Sequence, residues 1–172
     1  FAWTWALTTW TLPNTAISTW LVLVPAVTFA CAAALPVGLL LLKWALLGRV
    51  KPGQHPLWSC WCSRWDFLYV AWGQLVRPQL VQLEGTLLLS VYLRAMGMTI
   101  GRRVVLGPGF SQVVDPDMLS FGDDSTVQTM FQAHTFEERI LKIDTVRIGA
   151  GASVGTGSVM MNGSVAGDGT WV

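Results

Sequence analysis

Charge is missing from the start of this sequence: no Asp, Glu, Lys, Arg or His lies between Phe1 and Leu42. A secretory signal would carry a basic start and a much shorter apolar core, so that reading fits poorly. Cysteine is scarce, three residues in no disulfide-dense pattern, which points to a reduced compartment or, for Cys31, to membrane burial. No segment gathers the Lys and Arg density that phosphate neutralisation needs, which argues against nucleic acid. After Asp66 no uninterrupted apolar run reaches 18 residues, which argues against a second full membrane span. There is no serine nucleophile elbow and no Cys–His pair close in sequence, so direct attack on a thioester is simpler than a covalent enzyme intermediate.

What is present divides into three stretches. Trp20 to Leu42, "WLVLVPAVTFACAAALPVGLLLL", is 23 apolar or neutral residues, long enough to cross about 30 Å of hydrocarbon. Pro25 and Pro36 bend it in a way that membrane helices tolerate. Lys43, Arg49 and Lys51 follow at once and nothing basic precedes, so the end near residue 50 faces the cytoplasm. Trp3, Trp5, Trp10 and Trp20 suit the headgroup level. Residues 1–48 are thus expected as a transmembrane region. Residues 49–97 are expected as a membrane-proximal connector, rich in Pro and Trp, followed by helices that lie on the membrane or pack a second domain against it.

Residues 98–172 carry a different period. Counted in sixes from Ile148, one column reads Ile148, Val154, Met160, Ala166, Val172, and the next reads Gly149, Gly155, Met161, Gly167. A further column, Ala152, Ser158, Ser164, Thr170, stays small. Neither a 3.6-residue nor a two-residue period yields this pattern. It predicts a triangular parallel coil, with small residues at the corners and apolar ones stacked inward. Ile100–Gly101, Leu106–Gly107 and Phe121–Gly122 begin the same pattern, and "FQAHTFEERILKID" interrupts it before Val146 resumes. That interruption is expected as a loop or short helix over Thr135–Leu141. The sequence starts at Phe1 rather than Met and stops one residue into a new unit, which suggests a segment of something larger.

The columns resemble the hexapeptide-repeat, left-handed β-helix proteins, most of them acyltransferases. The wider run "LEGTLLLSVYLRAMGMTIGRRVVLG" with "FGDDSTV" and "QAHTFEERILKIDTVRIGAGASVG" resembles the C-terminal region of membrane-bound nonribosomal-peptide-synthetase-like proteins of the poly-lysine synthetase type. The resemblance implies a mixed fold, transmembrane or interfacial helices followed by a left-handed parallel β-helix. It also implies adenylation and carrier domains in the same polypeptide, and sister β-helix domains or a homo-oligomer beside this one. The donor it implies is an aminoacyl thioester on phosphopantetheine, with no cofactor tightly bound in this segment; the acceptor is an amine or peptide. The β-helix would sit on the cytoplasmic side of the cytoplasmic membrane, against the lipid bilayer.

Within that frame His134 is the expected general base, because hexapeptide acyltransferases commonly use a histidine in a loop off the coil. Glu137 is expected to hold the imidazole tautomer, Gln132 to donate to a developing oxyanion, and Arg139 to meet a phosphate or carboxylate on the donor. Phe131 and Phe136 are expected to restrict water around His134. The bland alternative for each is a solvated loop residue. Asp123 and Asp124 more simply shape a corner, and Arg102 and Arg103 anchor an interface. Cys60 and Cys62 with His55 supply only three ligands at a spacing unlike structural zinc, so no metal is expected. Gly149, Gly151, Gly155 and Gly157 lack the following helix of a dinucleotide site. Two other functions compete with acyl transfer: a non-catalytic scaffold or docking coil, and a transporter-like role, weakened by the absence of intramembrane ionisable groups.

Overall fold

A computed structural model describes residues 17–172, apart from the side chain of Ser18; the tryptophans expected at the headgroup level before Ile17 lie outside the described residues. The chain divides into two compact units at Gly38/Leu39. Helix α1 (Ile17–Leu46) contains the stretch Thr19–Leu46, which has the length and apolar composition to cross a membrane. No other helix among the described residues does.

The second unit begins with strand β1 (Gly53–Pro56) inside the connector, then helix α2 (Cys60–Ala71), opened by Ser59, whose hydroxyl accepts from Cys62 N–H. A π turn (Trp72–Val76) leads into the short α3 (Arg77–Leu80), and α4 (Leu87–Ala95) follows. The π turn has a local cause. Pro78 has no N–H to give the Gln74 carbonyl, and the helix widens before it so that Arg77 N–H reaches Trp72 O. The extra residue keeps Trp72, Val76 and Leu80 all buried. These helices bury one side, Trp65, Leu68, Leu89 and Leu93 included, and expose Phe67, Val70, Leu87, Leu88 and Val91.

From residue 99 the chain visits three parallel sheets in rotation. The first takes β2 (Thr99–Ile100), β4 (Leu119–Phe121), β9 (Val146–Ile148) and β12 (Val165–Ala166). The second takes β3 (Val105–Leu106), β5 (Thr126–Val127) and β10 (Ser153–Val154). The third takes only β6 (Met130–Gln132) and β11 (Val159–Met161). Register stacks like on like: Ile100, Phe121, Ile148 and Ala166 form one buried column, and Val127 and Val154 another. Met160, the third member of the expected inward set, is buried beside Phe131.

The glycines serve two distinct purposes. Gly101, Gly122 and Gly149, each after an inward residue, have ordinary backbone angles but no room for a side chain. A Cβ on Gly122 would lie 2.5 Å from Ala150 N, and one on Gly149 would lie 2.5 Å from Asp168 N. Gly151, by contrast, sits in open space at φ +66°, where its freedom to adopt a left-handed turn is what matters. The turns share a second device: Asp123 and Asp168 carboxylates accept from Arg102 N–H and Ala150 N–H on the neighbouring turn.

The interruption is neither loop nor helix. It is a β-hairpin of β7 (His134–Glu137) and β8 (Ile140–Ile143), closed by Glu138 and Arg139 at φ 50° and 64°. Two consecutive residues of positive φ make the turn whose twist matches paired strands. β1 adds antiparallel to β8, with Gly53 opposite Ile143, so the connector is part of a three-stranded sheet. Sequence reasoning missed this because neither strand alternates clearly and Pro56 reads as a breaker; it occupies an edge, where proline is tolerated.

Replacing Gly122 by Ala should destabilise the protein by about 1–3 kcal/mol through overpacking between turns, whereas Gly151→Ala costs through backbone strain alone. Thermal unfolding of each purified variant checks the order, with Gly122→Ala expected to be the more damaging.

Candidate active site

The segment Val113–Met118 does not form a sheet strand. It carries Asp115 at φ 57°, ψ 55°, a left-handed conformation that Asp and Asn tolerate better than other non-glycine residues. Both carboxylate oxygens are occupied. Trp65 Nε1 donates to Oδ1 at 2.6 Å, and His134 Nδ1 lies 2.8 Å from Oδ2. The Asp115 side chain is 1% exposed and that of His134 10%. A buried carboxylate on Nδ1 assigns that nitrogen as the protonated one in the neutral ring, leaving the Nε2 lone pair free. No described residue hydrogen bonds Nε2. The ring sits edge-on to Trp65 (centroids 5.0 Å apart) and to Phe136 (5.4 Å).

Two residues on, Asp117 makes a parallel contact. Its Oδ2 accepts from Val50 N–H at 3.2 Å and pairs with Lys43 Nζ at 2.7 Å, with both side chains buried. Its Oδ1 lies where a side chain on Gly97 would otherwise be: a Cβ there would come within 2.0 Å. Lys43, Asp115 and Asp117 help to line a mostly apolar cavity with Leu39, Trp65 and Trp72. His134 does not line it, nor does it line the groove beside β6.

The residues singled out from sequence separate. Glu137 does not reach His134; it takes Lys142 and the Thr135 hydroxyl on the exposed hairpin. The Lys142 ammonium, aided by Thr135, holds its carboxyl below the usual carboxylate range. Arg139 is at the hairpin tip, its carbonyl accepting from Leu57 N–H. Gln132 is exposed at the end of β6, two residues before His134, and lines the groove there. Phe136 flanks the imidazole as expected, but Phe131 packs with Phe110 and Phe121 in the coil core. Arg103 is held by Asp124 in a two-pronged ion pair, at 2.5 and 2.6 Å, across stacked corners.

Among the described residues no three His, Cys, Asp or Glu side chains converge as metal ligands do. His55 stacks flat on Trp61, centroids 3.6 Å apart. Burial, reinforced by Asp66, pushes the Cys62 thiol up, which keeps it protonated and unreactive at neutral pH.

Sequence reasoning missed Asp115 and Trp65. The available signal was "VVDPD", where two acids flank a proline and the sixfold register fails, but nothing in the spacing pairs position 115 with 134.

Over 124 residues, 70% of its length, the chain is 31% identical to a delta-poly-L-ornithine synthetase of Acinetobacter baumannii (strain AB307-0294). It spans 9% of that protein's length. No family model matches the chain, and no solved structure does.

Asp115→Asn keeps the left-handed backbone accessible but offers one acceptor oxygen to two buried donors. It should lower stability by about 1–3 kcal/mol, read by denaturant unfolding, whereas Glu137→Gln on the exposed hairpin should change it little.

Proposed function

We propose that this chain is the membrane-anchored β-coil portion of a nonribosomal-peptide-synthetase-like protein, and that its coil is a left-handed β-helix of the hexapeptide type performing acyl transfer. The observation that carries the reading is the His134–Asp115 pair, in a chain similar to a synthetase of poly-ornithine. Three parallel sheets visited in rotation, with close-packed glycine corners, support the hexapeptide assignment.

In the proposed reaction the donor is an aminoacyl thioester on the phosphopantetheine of a carrier domain in the same polypeptide. The amine acceptor attacks the thioester carbonyl, forming the C–N bond. His134 Nε2 takes the amine proton, and the imidazolium is stabilised by Asp115 across the Nδ1–H bond. Collapse of the tetrahedral intermediate breaks the C–S bond, and the proton passes from Nε2 to the departing thiolate. Asp115 supplies the tautomer-holding carboxylate expected of Glu137. Gln132 remains the candidate oxyanion donor, and Arg139, free of any described ion pair, the candidate contact for the phosphate. Hexapeptide sites are commonly completed by a neighbouring coil, so a sister domain or second copy closes the site over His134.

A second reading, a non-catalytic docking coil, is favoured by one observation: His134 is mostly packed and lines neither cavity. His134→Ala in the complete polypeptide discriminates. Acyl transfer predicts a fall in product formation of roughly 10²–10⁴-fold with carrier binding intact, while unchanged turnover would establish the docking reading.

For location, we propose that α1 spans the cytoplasmic membrane with the coil on the cytoplasmic side. The outward apolar residues of α2 and α4, together with Trp58, 90% exposed, would rest on the lipid surface. Lys51→Cys, in a protein whose native cysteines are replaced by alanine, should resist a membrane-impermeant thiol reagent in intact cells and react after permeabilisation. Labelling of intact cells would reverse the topology.

A further inference from the structure

Trp65 touches both members of the His134–Asp115 pair. Its Nε1–H donates to Asp115 Oδ1 at 2.6 Å, and its ring meets the imidazole edge-on, centroids 5.0 Å apart. It lies on the buried face of α2 with Cys62, Leu68 and Ala71. Strand register brings the imidazole to this helix. Residues paired across β7, β8 and β1 share a face, so His134, Phe136, Leu141, Ile143 and His55 lie on one side of the small sheet. α2 covers that side, with Trp61 on His55 and Trp65 on His134 and Phe136. Thr135, Glu137 and Lys142 lie on the other.

The indole bond does more than fill space. Its length is that of a bond to an ionised acceptor, with the positive end of the N–H dipole turned toward the carboxylate. Such a donor stabilises the carboxylate most when the imidazole is neutral, because the pair then carries a net negative charge. Beside an imidazolium the carboxylate is already compensated. The bond therefore favours the neutral ring, with Nε2 unprotonated, over the cation. Other ionisable groups on the surrounding elements are engaged or turned away. Asp117 pairs with Lys43, Glu137 pairs with Lys142, and Asp144 accepts from Thr145 N–H. His55 stacks on Trp61 and Tyr69 on Trp65, while Arg64 and Asp66 of α2 are exposed. Burial keeps the Cys62 thiol protonated, and Glu138 and Arg139 form the hairpin tip.

We propose that Trp65 is a positioning residue, which through Asp115 and its own ring orients His134 and biases it toward the neutral form that a base requires. The part this plays in acyl transfer rests on the reading of His134 as the base; the hold of Trp65 on the imidazole does not. The helix thereby joins the site, although nothing on it touches the reacting atoms.

The test uses the complete polypeptide. Trp65→Phe removes the donor; if it fails to fold, Trp65→3-benzothienylalanine takes its place, keeping the ring shape with sulfur where the indole has N–H. Deuterium uptake at His134 Cε1, followed from about pH 5 to 8 by mass spectrometry of its peptide, reports the protonation of this one ring. The pH at which the uptake rate is half its plateau should rise by roughly half to one unit in the variant. The acid limb of the pH–turnover profile should move up by the same amount. A purely structural role would lower turnover equally at every pH and leave both midpoints in place. An uptake midpoint that stays or falls in the folded variant would overturn the proposal. If uptake shifts while the turnover profile does not, His134 is not the base, and the hold of Trp65 on it still stands. An unmoved uptake midpoint together with lost turnover in His134→Ala would do the reverse.

Discussion

Two buried carboxylates on one short segment hold the second unit together. Burying an unpaired carboxylate costs several kcal/mol, so each must find donors wherever the fold places it. Asp115 finds them on α2 and the hairpin, and Asp117 on the end of α1 and the connector. The helices and the first turns of the coil are thereby fixed to one another by polar contacts of defined geometry, which apolar packing alone would not specify. The same requirement explains why the chain abandons the third sheet between Pro108 and Met118. A regular strand would put both acids on one face, whereas the left-handed turn at Asp115 sends them to different partners, Asp115 to α2 and the hairpin and Asp117 to Lys43 and Val50.

Part of the run behind the family resemblance proves to be the joint itself. In "LEGT…YLRAMG", Glu84 holds the first loop, Arg94 donates to the carbonyls of Ile100 and Gly101, and Gly97 makes room for Asp117. That part of the likeness speaks to how helices are seated on the coil. It says less about chemistry, which is why the reaction has to be argued from the geometry around His134.

The coil was legible because its constraint is local and repeated. A Cβ on Gly149 meets the next turn, and the same conflict at Gly122 recurs one turn earlier, so the sequence shows a column. The membrane-length helix was equally plain, because length and missing charge suffice. The hairpin was not legible: its turn residues are Glu138 and Arg139, where Asn–Gly would have announced it. His134 stood out as the only histidine in the coil, yet its partner lies 19 residues earlier on a segment with no period of its own. Glu137, the nearer carboxylate, was the natural choice by sequence and the wrong one by geometry, since residues three apart on a strand face opposite ways and Lys142, diagonal to it across the hairpin, takes its carboxylate. Long-range polar pairing leaves no trace in spacing.

The pairing of β1 with β8 carries a consequence for synthesis. β1 leaves the ribosome soon after α1, but its partner follows only after roughly ninety more residues. At about 5–20 residues per second that interval lasts several seconds or more. Throughout it the edge of β1 has no hairpin to meet. The coil can grow turn by turn from local contacts, but this outlying sheet closes late, over a long loop. The nascent connector is therefore the stretch most exposed to mispairing or proteolysis, and the emergence of Ile143 marks the moment at which that exposure ends.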